Sequence, residues 1–248
     1  SEVELKPFES VEIEDEYQYD GDIYSVGDNC TVEVMKEESE IIRLNTETVP
    51  VYEQSKYEPR KPVSIPFSVL AEEDDSDSPQ LSLSSCLRQI GDEMQNAQEH
   101  YMDIKEEILE GKSAKAAKKF EEALESFNNE RERFLRGLDL IENNDQVREA
   151  FIQLNKTFNK FDEFEEWRLF QIVFIVMSIP DIVAQADDGS DVEHNLDIAD
   201  VIYYPTGGGK TEAYVGLVIF TAFHDRLRGK NYGTTALTKF PLRFLSLQ

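Results

Sequence analysis

The chain has 248 residues, 40% hydrophobic and 10% aromatic, so it can bury a core and is not disordered throughout. It carries 51 acidic and 25 basic residues, a formal net charge of −26. This charge argues against general binding of nucleic acids or anionic membranes, because phosphates would be repelled. Two cysteines, Cys30 and Cys86, are too few for a disulfide framework or a zinc site, and we expect them to be reduced.

The charge changes sign along the chain. Residues 1–80 hold 22 acidic and 6 basic residues and residues 81–200 hold 27 and 13, whereas residues 201–248 hold 2 and 6. The last segment is therefore the part of the chain that favours a polyanion. The start of the chain lacks a secretory leader pattern, and residues 170–177, the longest apolar run, are too short to cross a bilayer. We expect a cytoplasmic protein that does not engage a membrane.

Residues 1–80 predict an acidic, β-rich auxiliary region. Residues 31–35 and 49–52 alternate, or nearly alternate, apolar and polar side chains, as half-buried strands do. Residues 71–79 are acidic and serine-rich and end in proline, which predicts a solvated linker. Nothing in this region has the spacing of a catalytic site.

Residues 81–160 predict a helical hairpin or short antiparallel coil with a turn at residues 142–145. Apolar side chains recur at intervals of three, four and seven residues on an otherwise charged helix. This stripe consists of Phe120, Leu124, Phe127, Phe134, Leu138 and Ile141. It indicates a packing or subunit-contact face, and a DNA-gripping arm is the alternative, which the net acidity of the region disfavours.

Residues 161–248 predict the first part of an α/β domain. An apolar helix begins near residue 164 and is expected to end before Pro180, because proline interrupts helices. The β-branched run 198–204 predicts a buried strand that leads directly into three glycines, and residues 212–223 predict a helix after them. Strand, glycine-rich turn and helix form the context in which a phosphate-binding P-loop occurs.

The glycine-rich motif at residues 203–212 reads YYPTGGGKTE. The glycines let consecutive N–H groups face one anion, and the following helix adds its positive N-terminal end. The Lys210 ammonium can reach the β- and γ-phosphates, and the Thr211 hydroxyl can ligate Mg²⁺, so these two are the predicted catalytic residues. The motif predicts binding of ATP or another nucleoside triphosphate. Its predicted contacts are Thr206, Gly207, Gly208, Gly209, Lys210, Thr211 and Glu212.

One position of the motif departs from the pattern G-x-x-x-x-G-K-[ST]. Tyr204 stands where the first glycine is usual, which disfavours small-molecule P-loop kinases and GTPases. The departure suits superfamily 2 helicases, in which the motif commonly reads x-x-T-G-x-G-K-T. Residues 167–171, WRLFQ, resemble the R-x-[FY]-Q segment that precedes the motif in these helicases. The resemblance implies that Gln171 contacts adenine, since an amide offers one donor group and one acceptor.

Residues 235–248 predict a strand followed by a basic helical turn, and this end of the chain resembles a further helicase element. Residues 241–248, PLRFLSLQ, are similar to the P-T-R-E-L-A-x-Q element, motif Ia, which touches the nucleic-acid backbone in these enzymes. The resemblance implies phosphate contacts by Thr238, Lys239 and Arg243, which would hold DNA without reading its sequence. An ordinary strand-to-helix junction is the alternative.

Taken together, the strings PTGGGKTEAY, RLRGK and ALTKFPLRFLSLQ resemble the large helicase-like subunit of DISARM anti-phage defence systems, the DrmA family. The resemblance covers about the last 85 residues. It implies an α/β fold with an α+β extension, in which a RecA-like P-loop motor domain starts after the β-rich region and the helical hairpin. The implied domains are residues 1–80, 81–160 and 161–248.

The same resemblance implies an ATP-dependent DNA helicase or translocase, an ATPase that uses Mg²⁺, engages DNA and works with a second DISARM subunit carrying a DUF1998 region. The 248 residues contain no D-E-x-H Walker B motif and no second RecA-like lobe. We therefore expect this stretch alone to bind nucleotide weakly and to hydrolyse it negligibly. The alternative function is a nucleotide-binding scaffold that binds DNA or partners without translocation.

Overall fold

The structure, a computed structural model, describes residues 31–37, 40–47, 63–72, 82–110, 114–161, 164–186, 199–202 and 208–239. The chain divides into two compact units, Ser1–Pro59 and Arg60–Gln248. The first unit contains an antiparallel pair of strands, β1 (Thr31–Glu37) and β2 (Glu40–Glu47), whose register shifts between Met35 and Lys36. The strand predicted at residues 31–35 is confirmed, and residues 49–52 lie outside the described residues.

The described part of the second unit is helical. Its helices are α1 (Phe67–Leu70), α2 (Leu83–Asp103), α3 (Lys105–Leu109), α4 (Ala114–Asn143), α5 (Asp145–Phe158), α6 (Leu169–Ala186) and α7 (Lys210–Leu227). The helices expected in residues 81–160 are confirmed, and so is the turn. Asn144 caps α5, because its side-chain oxygen accepts hydrogen bonds from the N–H groups of Gln146 (3.0 Å) and Val147 (3.1 Å).

The core lies where α4 packs against α2 and α6, and where α5 and α6 pack against α7. The second half of the predicted α4 stripe belongs to this core, since Phe134, Leu138 and Ile141 are buried. Phe120 and Leu124 in the first half are only half-buried. Half-buried Phe127 also packs against the core, so the stripe serves packing within this unit from Phe127 onward.

An antiparallel contact between residues 63–67 and 164–167 fixes the start of α6. The Trp167 N–H donates to the Ile65 carbonyl and the Phe67 N–H donates to the Glu165 carbonyl, each at 3.0 Å. The indole of Trp167 then packs edge-on against the Phe67 ring, with 5.0 Å between ring centroids. Sequence periodicity gave no sign of this pairing, because its two segments are about a hundred residues apart.

The expected end of the apolar helix before Pro180 is wrong, because α6 continues through this proline to Ala186. Proline removes one N–H group and crowds the carbonyl four residues earlier, which is that of Val176. Gly137 of α4 lies against this carbonyl, and a methyl group there would be 1.9 Å from the Val176 oxygen. Close packing of α4 against this turn holds the helix through a residue that usually ends one.

At 18 residues α6 is longer than the apolar run predicted from the sequence. By length and composition alone it could cross a membrane, with a mean hydropathy of 1.8, but 56% of it is buried within this unit. Its packing against α4 and α7 is a sufficient reason for its apolar composition.

Two strand predictions are wrong for the residues that the structure describes. Residues 199–202 and 235–239 form no regular element, and Val201 and Leu237 are 85% and 92% exposed. A parallel strand needs neighbours to hydrogen bond with, and within 63–239 the described regular elements are helices. The helix predicted at residues 212–223 is confirmed as part of α7, while the RecA-like α/β fold remains a prediction.

Candidate functional site

The predicted nucleotide contacts surround the start of α7. Gly209 caps this helix in the left-handed region, with φ 89° and ψ 25°, which glycine adopts without steric cost. Lys210 and Thr211 are the first residues of the helix, and Thr211 is exposed. The N–H groups of a helix's first turn have no intrahelical acceptor, and the positive end of the helix dipole lies there. This end of α7 is therefore suited to an anion.

Two side chains at the start of α6 hold the backbone of the glycine-rich turn. The Arg168 Nη1 group donates to the Gly208 carbonyl at 2.6 Å, and the Gln171 Nε2 group donates to the Gly209 carbonyl at 2.7 Å. In a trans peptide the C=O group and the following N–H group point in opposite directions. The N–H groups of Gly209 and Lys210 therefore face away from Arg168 and Gln171. Two successive N–H groups facing the same way make a cradle for a phosphate.

Gln171 is engaged at both ends of its amide and is only 5% exposed. Besides its bond to Gly209, its Oε1 atom accepts a hydrogen bond from the Arg168 N–H at 2.8 Å. The contact with adenine predicted for this residue stays a prediction. In this structure its amide supports the backbone of the turn.

Gly209 is crowded as well as left-handed. A methyl group at this position would lie 2.6 Å from the Gln171 Nε2 atom and 3.3 Å from the Glu212 Oε2 atom. The same Glu212 oxygen is buried and accepts no hydrogen bond within the described part of the chain. A buried carboxylate oxygen without a donor is unusual in folded proteins, and such an oxygen is available to coordinate a cation.

Trp167 joins the elements behind the turn. Its Nε1 group donates to the Asn155 side-chain oxygen at 2.7 Å, and the Asn155 amide donates to the Phe151 carbonyl at 2.8 Å. A methyl group at Gly216 of α7 would be 3.3 Å from the indole ring. The segment that carries Arg168 is thereby fixed to α5 and α7.

Arg168 is the contact that the sequence reading missed, although it lies within the WRLFQ segment. An arginine side chain offers only donors, and its target here is a backbone carbonyl, which leaves no trace in the sequence. The other predicted residues fall into two groups. Thr238 and Lys239 are exposed on the segment after α7, whereas Thr206, Gly207 and Arg243 lie outside the described residues. The described residues contain no cluster of histidine, cysteine and acidic side chains able to hold a metal ion by themselves.

Asp225, near the end of α7, holds the segment that follows. This buried carboxylate accepts hydrogen bonds from Arg228 (3.0 Å), Lys230 (2.7 Å) and Thr235 (2.9 Å). Burial raises the pKa of Asp225, but the hydrogen bonds from Lys230, Thr235 and Arg228 outweigh it and hold the pKa below its ordinary value. Arg228 and Lys230 are therefore partly neutralised within the basic segment.

An Asp225→Asn variant is expected to lose about 2 kcal/mol of its free energy of unfolding at pH 7, because charge-assisted hydrogen bonds are lost. A carboxylate with a lowered folded-state pKa contributes stability above its unfolded pKa and loses it as the pH falls through the folded value. The difference between the two proteins should therefore be constant from pH 7 to 5 and shrink below about pH 4. Urea unfolding of both proteins from pH 7 to pH 3 measures it. An equal gap throughout this range would contradict the prediction.

Comparison with known proteins gives a partial relationship. No protein-family model matches the chain. Over 90 residues, 34% of the chain, it is 34% identical to the DISARM protein DrmA of Bacillus paralicheniformis. The matched part spans only 8% of the length of that protein. The chain is thus similar, over about a third of its own length, to a DISARM protein.

Proposed function

We propose that the glycine-rich turn before α7 binds Mg²⁺-ATP, and that the chain is the nucleotide-binding part of a cytoplasmic DNA helicase or translocase in DISARM-type anti-phage defence. The observation that carries the proposal is the pair of carbonyls held at 2.6 and 2.7 Å by Arg168 and Gln171. It directs two successive N–H groups to the same side at the positive end of a helix. The similarity to DrmA supports the link to DISARM defence.

Each residue of the turn has a role in this proposal. The Lys210 ammonium binds the β- and γ-phosphates, and the N–H groups of Gly209 and Lys210 bind phosphate oxygens. The Thr211 hydroxyl is exposed in the first turn, and Glu212 has a buried oxygen without a donor, which suits the oxygen ligands that Mg²⁺ prefers. When bound, Mg²⁺ would neutralise phosphate charge. Hydrolysis also needs an acid of the Walker B type, so binding is the activity that we propose for these residues.

DNA is the proposed second ligand. Residues 201–248 hold the basic excess of the chain, and Asp225 already engages Arg228 and Lys230. The basic phosphate contacts that we propose are the exposed Lys239 and, outside the described residues, Arg243, with Thr238 beside them. We propose a DISARM subunit with a DUF1998 region as the protein partner. If the protein binds nucleotide but shows no ATP-driven movement on DNA, the scaffold alternative is favoured.

A Lys210→Ala variant tests the proposal. We expect its affinity for a fluorescent ATP analogue with Mg²⁺ to fall at least about tenfold, because a charge-assisted hydrogen bond to phosphate is worth about 1.5–3 kcal/mol. Equilibrium titration followed by fluorescence anisotropy measures the affinity.

A Lys160→Ala variant is the matched control, since this exposed lysine after α5 lies outside the proposed site. It should bind the analogue as the unmodified chain does, and both variants should keep the helical circular dichroism spectrum. Equal affinities of the Lys210→Ala variant and the unmodified chain would show that the turn is not the nucleotide site.

A further inference from the structure

Arg133 of α4 joins two carboxylates from different parts of the chain. Its guanidinium donates to both oxygens of Asp200, at 2.6 and 2.7 Å, and to Asp181 of α6 at 2.9 Å. The Arg133 side chain is only 15% exposed. A bidentate arginine–carboxylate pair fixes distance and orientation together, which a single hydrogen bond does not.

Asp200 matters because of its place in the chain. It lies eight residues before Gly208, in the described segment 199–202 that leads towards the glycine-rich motif. At the other end of that motif, Arg168 and Gln171 hold the carbonyls of Gly208 and Gly209. The chain is therefore anchored on both sides of residues 203–207, once by α4 and once by the start of α6.

Both anchors involve residues at or in α6. Asp181 is in the last turns of α6, whereas Gln171 is in its first turn, and Arg133 binds Asp181 and Asp200 with one guanidinium. A shift of α4 relative to α6 would therefore move Asp200 relative to Gly208 and Gly209. The spacing of the two anchors depends on how α4 packs.

We propose that Arg133 is a positioning residue for the nucleotide-binding turn, and that α4 controls nucleotide affinity through the Arg133–Asp200 pair. The part of the inference that concerns affinity rests on the proposed function, whereas the part that concerns the position of the turn does not.

The two carboxylates provide a matched pair of variants. Asp200→Asn removes the charged anchor of the segment before the turn and leaves Arg133 paired with Asp181. Asp181→Asn removes the other carboxylate and leaves the bidentate pair with Asp200 in place. Each variant keeps one acid on the arginine, so neither leaves a buried positive charge without a partner. A merely structural role for Arg133 predicts similar results for the two variants.

The experiment has two readouts on the whole chain. Amide hydrogen exchange of residues 208–213, at labelling times from milliseconds to minutes, measures the order of the turn without nucleotide. Titration with the fluorescent ATP analogue and Mg²⁺ measures affinity. In the Asp200→Asn variant we expect exchange to be about tenfold faster and affinity about tenfold weaker, since a charge-assisted bidentate pair is lost. In the Asp181→Asn variant we expect both to stay within about twofold of the unmodified chain.

The possible outcomes distinguish a failure of this inference from a failure of the proposed function. Unchanged exchange in the Asp200→Asn variant, or equal effects of the two variants, would overturn the positioning role. Faster exchange with unchanged affinity would overturn the control of nucleotide binding by α4. Faster exchange in Asp200→Asn alone, in a chain that binds no ATP at all, would uphold the positioning role and overturn the proposed function.

Discussion

A Gly137→Ala variant is expected to lose about 3 kcal/mol or more of its free energy of unfolding, the upper end of what overpacking costs. A methyl group at this position would lie 1.9 Å from the Val176 oxygen and 2.8 Å from the Val176 carbonyl carbon. These are backbone atoms inside a packed helix and cannot rotate away as the end of a side chain can. α4 would have to separate from α6 at a contact next to the buried Phe134 and Leu138. A loss of this size is a large fraction of the total stability of a typical domain.

Urea unfolding followed by circular dichroism at 222 nm, with fluorescence of the single tryptophan, Trp167, as a second probe, measures this loss. A Gly91→Ala variant in α2 is the control. Its methyl group would lie 3.2 Å from the Leu135 Cδ2 atom, the end of a side chain that can move, and alanine favours a helix by about 1 kcal/mol over glycine. Its stability should stay within about 1 kcal/mol of that of the unmodified chain. Equal midpoints for Gly137→Ala and Gly91→Ala would contradict the predicted contact.

The contact between Gly137 and the Val176 carbonyl also shows which parts of the fold could be predicted from the sequence. Periodic apolar positions predicted helix in residues 81–160, because an amphipathic helix repeats its contacts every three or four residues. The course of α6 through Pro180 depends on Gly137, which is 43 residues earlier in the chain. Local rules assign proline a helix-ending role, and only the packing of α4 against α6 overrides it. Similarly, the β-branched run at 198–204 has strand propensity, but the described residues beside it supply no ladder.

At the candidate site, too, some residues could be predicted from the sequence and others could not. The glycines, Lys210 and Thr211 could be predicted, since a phosphate cradle imposes residue types at fixed spacing. The hydrogen bonds of Arg168 and Gln171 to backbone carbonyls could not, because a carbonyl is present at every residue and carries no sequence signal. The Arg133–Asp200 pair joins residues 67 positions apart, and arginine and aspartate are common on any charged surface. Contacts of this kind depend on the packed arrangement of α4 and α6.

A Gly209→Ala variant is expected to weaken binding of the ATP analogue at least about a hundredfold, because two hydrogen bonds to a charged ligand, each worth about 1.5–3 kcal/mol, depend on this residue. Alanine is strained at φ 89°, and its methyl group would lie 2.6 Å from the Gln171 Nε2 atom. Gln171 would have to leave the Gly209 carbonyl. The peptide group that joins this carbonyl to the Lys210 N–H would then no longer be held in its orientation. Fluorescence anisotropy titration with Mg²⁺ measures the affinity.

Gly229 provides a control with the same backbone strain and no crowding. Its φ is 87°, and a methyl group there would have no heavy atom within 4 Å. Both variants should lose about 1–2 kcal/mol of stability from the left-handed conformation, and Gly209→Ala should lose more because Gln171 also gives up its hydrogen bond to the Gly209 carbonyl. Only Gly209→Ala should lose nucleotide affinity, because only there does the methyl group displace the side chain that supports the turn. Equal affinities of the two variants would show that the carbonyls held by Arg168 and Gln171 do not shape the nucleotide site.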